Sequence, residues 1–248
     1  MTASFTKPMR NALFIAGAML IAASCAPAHA DTGLVDEVYG ATVKAGEAEV
    51  ELRYGRPLGG TAGPDDPFRV EAAYAFSDHF RLGVAARLAH DPGQSRKVTE
   101  TALEAIWAPG KIGPVSVAFY GEYSLGIGEP DALEGKILLQ HRRGPLDLRL
   151  NLIAAKPLIA GAATELSYAA RTDYQVADDV RVGVEAICEL GGFGHLFPRA
   201  AHYAGPVVAV ELDHLHPELE LSAGYLFTLG STTDGTRGQL RLSLGFEF

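Results

Sequence analysis

Residues 239–248 read Gln239-Leu240-Arg241-Leu242-Ser243-Leu244-Gly245-Phe246-Glu247-Phe248, polar or small and apolar side chains in unbroken alternation. Successive side chains of a strand point to opposite faces. Leu240, Leu242, Leu244, Phe246 and Phe248 therefore share one face, and Gln239, Arg241, Ser243, Gly245 and Glu247 the other. Read backward from there, the same period recurs near 47–55, 68–76, 79–89, 98–108, 114–125, 132–142, 145–154, 163–176, 179–189, 202–213 and 217–229, each run bounded by Gly, Pro, Asp or Ser. The expected fold is all-β: an up-and-down antiparallel barrel of about twelve strands over residues 47–248. Short links at Ser77-Asp78, 109–113, Gly144, Ala177-Asp178 and 214–217 alternate with longer ones at 56–67, 90–97, 190–201 and 230–237.

An apolar strand ending on an aromatic resembles the closing strand of bacterial outer-membrane β-barrels. In that class a polar residue, a small residue and two final hydrophobics form the signal read by the insertion machinery. Arg241, Ser243, Phe246 and Phe248 take those places, with Ser where Gly is usual. The resemblance implies a transmembrane barrel with tight periplasmic turns, longer external loops and an even strand number. It also implies residence in the outer membrane of a Gram-negative bacterium, among outer-membrane lipids and lipopolysaccharide. Delivery would run through the barrel-assembly machinery and the C-terminal strand. It fixes architecture and address and leaves the cargo open.

The N-terminus agrees with that address. Lys7 and Arg10 precede an uncharged apolar run over 11–24, and Ala28-His29-Ala30 is an A-x-A site, so residues 1–30 read as a secretory signal peptide cut between Ala30 and Asp31. The run is shorter than the roughly 20 residues a spanning helix needs. Residues 22–25 resemble a lipobox ending on Cys25, but Ala stands where Leu is usual. Two of the 21 Lys and Arg and none of the 30 Asp and Glu lie in the signal, leaving 19 against 30, a net charge of −11. Such acidity argues against nucleic acid as a partner. Only Cys188 remains after cleavage, so no internal disulfide forms. Residues 31–46 read as a short periplasmic segment before the barrel; they either line the lumen or, over 38–43, extend the sheet.

Alternation alone does not say which face is outside, because a soluble barrel of the lipocalin type turns its apolar face inward. The apolar face here is nearly free of charge: Phe80, Leu82, Val84, Ala86 and Leu88 in one strand, Leu146, Leu148, Leu150 and Leu152 in another. Its aromatics gather at strand ends, with Phe76, Phe80, Trp107, Tyr174 and Phe248 toward the short turns and Tyr54, Phe68, Tyr123 and Phe227 toward the long loops. Two aromatic girdles around an aliphatic band match the two faces of a bilayer. The other face carries the charge and is expected to line the lumen: Arg69, Glu71, Arg81 and Arg87, then Glu100, Glu104 and Glu122, then Glu134, Lys136 and Arg149, then Glu165, Arg171, Arg181 and Glu185, and finally Glu220 and Arg241. A cation facing lipid at the midplane costs roughly 2–4 kcal/mol. These side chains must meet water or one another. Eight strands are filled by their own side chains and 16–18 leave a channel, so about twelve predict a narrow aqueous lumen crossed by Arg–carboxylate pairs. The apolar stretch 152–163, broken only by Lys156, reads as a longer strand, an inward constriction or a lipopolysaccharide contact.

No catalytic, cofactor or metal constellation emerges, and the chain reads as a non-enzyme. The His-x-Ser pair of outer-membrane lipid hydrolases is missing. Asp213-His214 resembles the Asp and His of omptin proteases, but it falls in a periplasmic turn rather than at the external rim. Cys188, Glu189, His195 and His202 are ligand types a soft metal accepts, at a spacing that matches no established site. Gly191-Gly192-Phe193-Gly194 lacks the strand-to-helix setting and Lys-Ser/Thr of a phosphate loop. Two readings of function follow: a narrow pore or transporter for small polar solutes, and a non-conducting structural or interaction barrel whose charges close into a salt-bridge core.

Overall fold

The computed structural model describes residues 34–60, 66–90, 94–193, 195–196, 202–212, 214–215, 217–230 and 235–248. The signal peptide, the Ala30–Asp31 junction, Asp213, His216 and the side chain of His195 lie outside the described residues. Thirteen strands follow in order: β1 Ala48–Gly59, β2 Phe68–Ser77, β3 Phe80–Ala89, β4 Lys97–Ile112, β5 Val115–Gly126, β6 Ala132–Arg143, β7 Leu146–Pro157, β8 Glu165–Ala177, β9 Val180–Gly192, β10 His195–Leu196, β11 His202–Leu212, β12 Glu218–Leu229 and β13 Thr236–Glu247. Strand β10 is a two-residue hairpin return on the end of β9. The other twelve form one antiparallel sheet in which each pairs with its neighbours in sequence.

Closure comes from the quoted strand. β13 pairs with β12 on one side and β1 on the other, in register from Glu49↔Glu247 to Leu58↔Gly238. The last residue completes the seam: the Phe248 N–H donates to the Ala48 carbonyl at 2.9 Å. A closed barrel leaves no strand edge with unpaired backbone groups, the condition for crossing lipid with strands.

The predicted alternation of connections is present. On one rim the turns are two residues long between β2 and β3, β4 and β5, β6 and β7, and β8 and β9. Two of these are Gly-Pro pairs, Gly113-Pro114 and Gly144-Pro145, with Gly φ of 60° and 57°. Positive φ at the first central position is what a two-residue hairpin of type II′ requires, and Gly meets it without steric cost. Several strands run longer than the alternation indicated. β1 continues to Gly59, and β4 continues through Pro109 to Ile112. β7 reaches Pro157, so the apolar stretch 152–163 is half strand, leaving Leu158 and Ile159 exposed in the following loop.

The outward face carries the apolar band. Phe80, Trp107 and Phe119 are register partners across β3, β4 and β5, and all three are exposed, Trp107 by 54 %. The Trp107 and Phe119 rings stack at 5.7 Å. An exposed aromatic row of this kind has no solvent rationale and matches a bilayer interface.

Candidate functional site

The inward face divides into two charged walls. On the β1–β6 wall, Arg53 donates to Glu51 at 2.6 Å and also pairs with Glu71. Arg81 bridges Glu49 at 2.7 Å and Glu71 at 2.9 Å. Arg69 reaches Glu122 at 2.6 Å, Glu104 at 3.2 Å and Glu100 at 3.8 Å. The Tyr120 hydroxyl donates into the same pair, 2.9 Å from Glu104 and hydrogen-bonded to Glu122. Lys136 pairs with Glu134 at 3.0 Å and lies 4.7 Å and 5.0 Å from the ring centres of Tyr120 and Tyr39, where ring quadrupoles favour a cation. Arg87 lines the cavity next to Arg69 and Glu100.

The β7–β13 wall is built from smaller pairs. Arg149 reaches Asp147 at 3.2 Å, as does Arg142 from the adjoining end of β6 at 3.0 Å. Arg171 donates to Asp173 at 2.8 Å, Arg241 contacts Glu185 at 3.2 Å and Arg181 contacts Glu211 at 3.7 Å. Glu220 faces Glu211 in the β11–β12 register, and Glu165 sits where β8 meets Gly192 at the long-loop end. The candidate lumen residues thus fall into two networks on opposite walls rather than one chain of pairs.

Between the walls runs a segment whose course the sequence left open. Residues 34–43 line the lumen and 34–45 do not extend the sheet, so the stretch read as periplasmic spends most of its length inside the barrel. It starts level with Gly55 of β1, where a Cβ on residue 55 would come within 2.3 Å of the Leu34 carbonyl oxygen. It leaves at the short-turn rim, where the Ala45 N–H donates to Asp78 Oδ1 at 2.9 Å and the Gly46 N–H to the Ala75 carbonyl at 2.8 Å. We call this segment the strap.

Alternate strap side chains face opposite walls, as period two requires of extended chain. Tyr39 and Ala41 pack with Ile106, Ala108, Ala118, Tyr120 and Leu138 of β4–β6. Val38 packs on the other side with Ile153, Ala169, Ile187 and Leu226. The strap main chain is held by side chains. Asn151, 0 % exposed, accepts the Tyr39 N–H at 2.8 Å and donates to the Tyr39 carbonyl at 3.0 Å. Gln140 accepts the Ala41 N–H at 3.0 Å, its amide turned the right way because its Nε2 donates to both Asp147 oxygens at 2.9 Å. Arg53 and Arg149 donate to the Val35 and Val38 carbonyls at 3.2 Å and 3.4 Å, and Arg241 donates to the Asp36 carbonyl.

Sequence reasoning missed the residues that grip the strap, chiefly Asn151, Gln140 and Tyr120, and the strap's own Tyr39. A signal for them exists. Ile106, Leu138, Ile153, Ile187 and Leu226 occupy inward register positions among charges, and an apolar side chain there needs an apolar partner inside the barrel. With the strap seated, two small cavities flank it among the described residues, about 40 Å³ on the Arg171–Arg241 side and about 70 Å³ on the Arg69–Glu134 side. Each holds a few waters at most. Cys188 is buried at its register position opposite His202, with Sγ 3.5 Å from His202 Nε2, so two of the four candidate soft ligands do meet. His214 and Leu215 sit in the short β11–β12 link, the rim at which the turn reading placed the Asp213-His214 pair.

No protein-family model and no curated protein matches the chain. Solved structures do. The COG4313 outer membrane channel from Pseudomonas putida F1 superposes with a TM-score of 0.61 at 12 % identity, covering 86 % of this chain and all of that one. The NanC porin gives 0.58 at 9 % identity over 80 % of this chain and 98 % of its own. The KdgM porin gives 0.57 at 11 % identity over 81 % and 99 %. The chain has the fold of a bacterial outer-membrane β-barrel of the porin type: closed, antiparallel and twelve-stranded.

Proposed function

We propose that this protein is a channel of the Gram-negative outer membrane for small polar solutes and that it acts without catalysis. One observation carries the reading. The barrel wall does not fill its own interior: an extended strap of about a dozen residues is needed to do so. Without the strap, the two walls of paired charge and amide groups would face an open bore wet enough to pass a hydrated solute. The porin-type fold and the exposed aromatic rows on the outer face support the same placement.

The alternative is a non-conducting barrel, favoured by the water-sized cavities that remain while the strap is seated. Planar-bilayer recording on refolded protein separates the two. The intact chain is expected to show a low baseline with brief openings, and a chain lacking residues 34–44 a sustained conductance. Silence from both would establish the non-conducting barrel.

A further inference from the structure

We propose that the lumen contains a binding site for extended peptide, and that the strap occupies it as a tethered ligand. The inference rests on the channel reading and names its solute class: short peptides carrying an aliphatic residue followed by an aromatic one. The way the strap is held supports it. Inside the barrel the hydrogen bonds on its main chain come from side chains, and backbone pairing begins only at the exit, at Gly46. Any buried chain needs its peptide groups paired, and here the partners are side chains of the barrel wall, Gln140 itself oriented by its bonds to Asp147. Asn151 satisfies both the N–H and the carbonyl of one residue, a two-bond ring that fits any amino acid at that place. Gln140 takes the next inward-facing N–H, and three arginines take carbonyls upstream. These groups recognise an extended backbone independently of sequence, as sheet edges do when they bind added strands.

Selectivity would come from the two apolar recesses. One holds the Tyr39 ring between Leu138 and Tyr120, with Lys136 over its face and its hydroxyl donating to Glu71 at 3.2 Å. The other holds Val38 against Ile153 and Leu226. An aromatic ring with a polar tip is the shape the first recess satisfies, and a small aliphatic side chain the second. Sugars and free ions present neither the alternating side chains nor the paired N–H and C=O that Asn151 matches.

The test uses refolded barrel lacking residues 34–44 and a synthetic peptide of residues 34–45 labelled with a fluorophore at its C-terminal end. Fluorescence anisotropy is expected to show saturable binding. A peptide with Tyr39→Ala, or a barrel with Asn151→Leu, should weaken it by about tenfold, and a scrambled peptide should not bind. The same peptide added to the bilayer chamber should block the sustained conductance. Conductance without peptide binding overturns the peptide site and leaves the channel standing; peptide binding without conductance does the reverse. If the shortened chain does not fold, a protease site inserted between Ala45 and Gly46 allows folding first and cutting afterward. The cut barrel should then exchange its strap for labelled peptide. A strap that stays locked against excess peptide is structural filler, and that result also overturns the proposal.

Discussion

The side-chain amide of Asn151, in the middle of β7, accepts the N–H of Tyr39 and donates to its carbonyl, 112 residues earlier in the chain. It is the most buried polar grip on the strap and lies at an inward register position between Arg149 and Ile153. Asn151→Leu keeps the volume and removes both bonds. A typical bond contributes a net 0.5–1.5 kcal/mol, so about 1–3 kcal/mol of strap binding should be lost. Each 1.4 kcal/mol is a factor of ten in an equilibrium, and on the proposed channel reading openings of the full chain should become about 5- to 100-fold more frequent. An unchanged opening frequency would mean that the strap does not control the bore.

Gly55 offers a second route to the same strap from the opposite end. An added Cβ would press on main-chain atoms of Leu34, which cannot swing aside as a side-chain tip can. Gly55→Ala should therefore displace the start of the strap while leaving the β1 ladder intact. Gly121→Ala is the matched control, because nothing lies within 4 Å of its Cβ position. Hydrogen exchange at strap amides is the readout: faster for Gly55→Ala and unchanged for Gly121→Ala. Equal protection in both variants would contradict the close approach at Leu34.

Closure, strand count and the division of faces were legible before any coordinates, because each depends on side-chain alternation that the backbone of a strand enforces. The register of β13 with β1 and β12 puts the ten quoted residues where that alternation put them, with Arg241 turned toward Glu185 and Leu242 outward. Lining the lumen was one of two courses the sequence left open for the strap, and a physical reason kept the choice undecided. Its backbone forms no ladder inside the barrel, so no long alternation marks it, and Asp36 and Glu37 made the segment look solvated. Pairings across the lumen were equally hidden. Arg69 on β2 meets Glu122 on β5, 53 residues away, only because the sheet curves across the two intervening strands. Strand ends also run past their signals: β4 continues through Pro109, the expected start of a link, to Ile112, and β7 reaches Pro157 instead of ending near 154.

A deeply buried cation and one at the rim should differ in what their loss costs. Arg53 is buried and serves Glu51, Glu71 and the Val35 carbonyl together. Removing one partner of a buried pair leaves an uncompensated charge and costs about 3–5 kcal/mol. Arg142 also pairs with a buried carboxylate, Asp147, but its own side chain is 62 % exposed, and Arg149 remains to hold Asp147. Exposed pairs contribute about 0–1 kcal/mol. Urea unfolding of refolded protein should place Arg53→Met several kcal/mol below wild type and Arg142→Met within about 1 kcal/mol of it. Equal losses would show that the β1–β6 network is as wet as the rim.

Phe248 closes the seam through its backbone while its ring is exposed at the short-turn rim. Deleting it removes one interface side chain, about 1.5–3 kcal/mol at most by burial, and one pair of main-chain bonds to Ala48. Refolding from urea into detergent should tolerate that loss. Assembly in cells should not, if the terminal aromatic is the signal that delivers the strand to the assembly machinery. Comparing outer-membrane yield with refolding yield separates the roles. Equal, modest losses in both would make Phe248 structural only.

Once the strap is absent, the sign of the lumen decides which ions pass. Carboxylates outnumber cations on the inward faces: the β1–β6 wall alone presents Glu49, Glu51, Glu71, Glu100, Glu104, Glu122 and Glu134 against Arg53, Arg69, Arg81, Arg87 and Lys136. A narrow passage lined by one sign of charge concentrates the opposite ion, so the strap-deleted barrel should prefer cations. The preference should be modest, because close pairs such as Arg69 with Glu122 cancel most of their own field. It should also shrink with salt, since the screening length falls from about 10 Å at 0.1 M to about 3 Å at 1 M. Reversal potential under a salt gradient measures it directly. Anion preference at low salt would mean that the arginines the strap now occupies, Arg53, Arg149 and Arg241, dominate the open lumen. In that case the carboxylates would have to be neutral or turned away once the strap is gone.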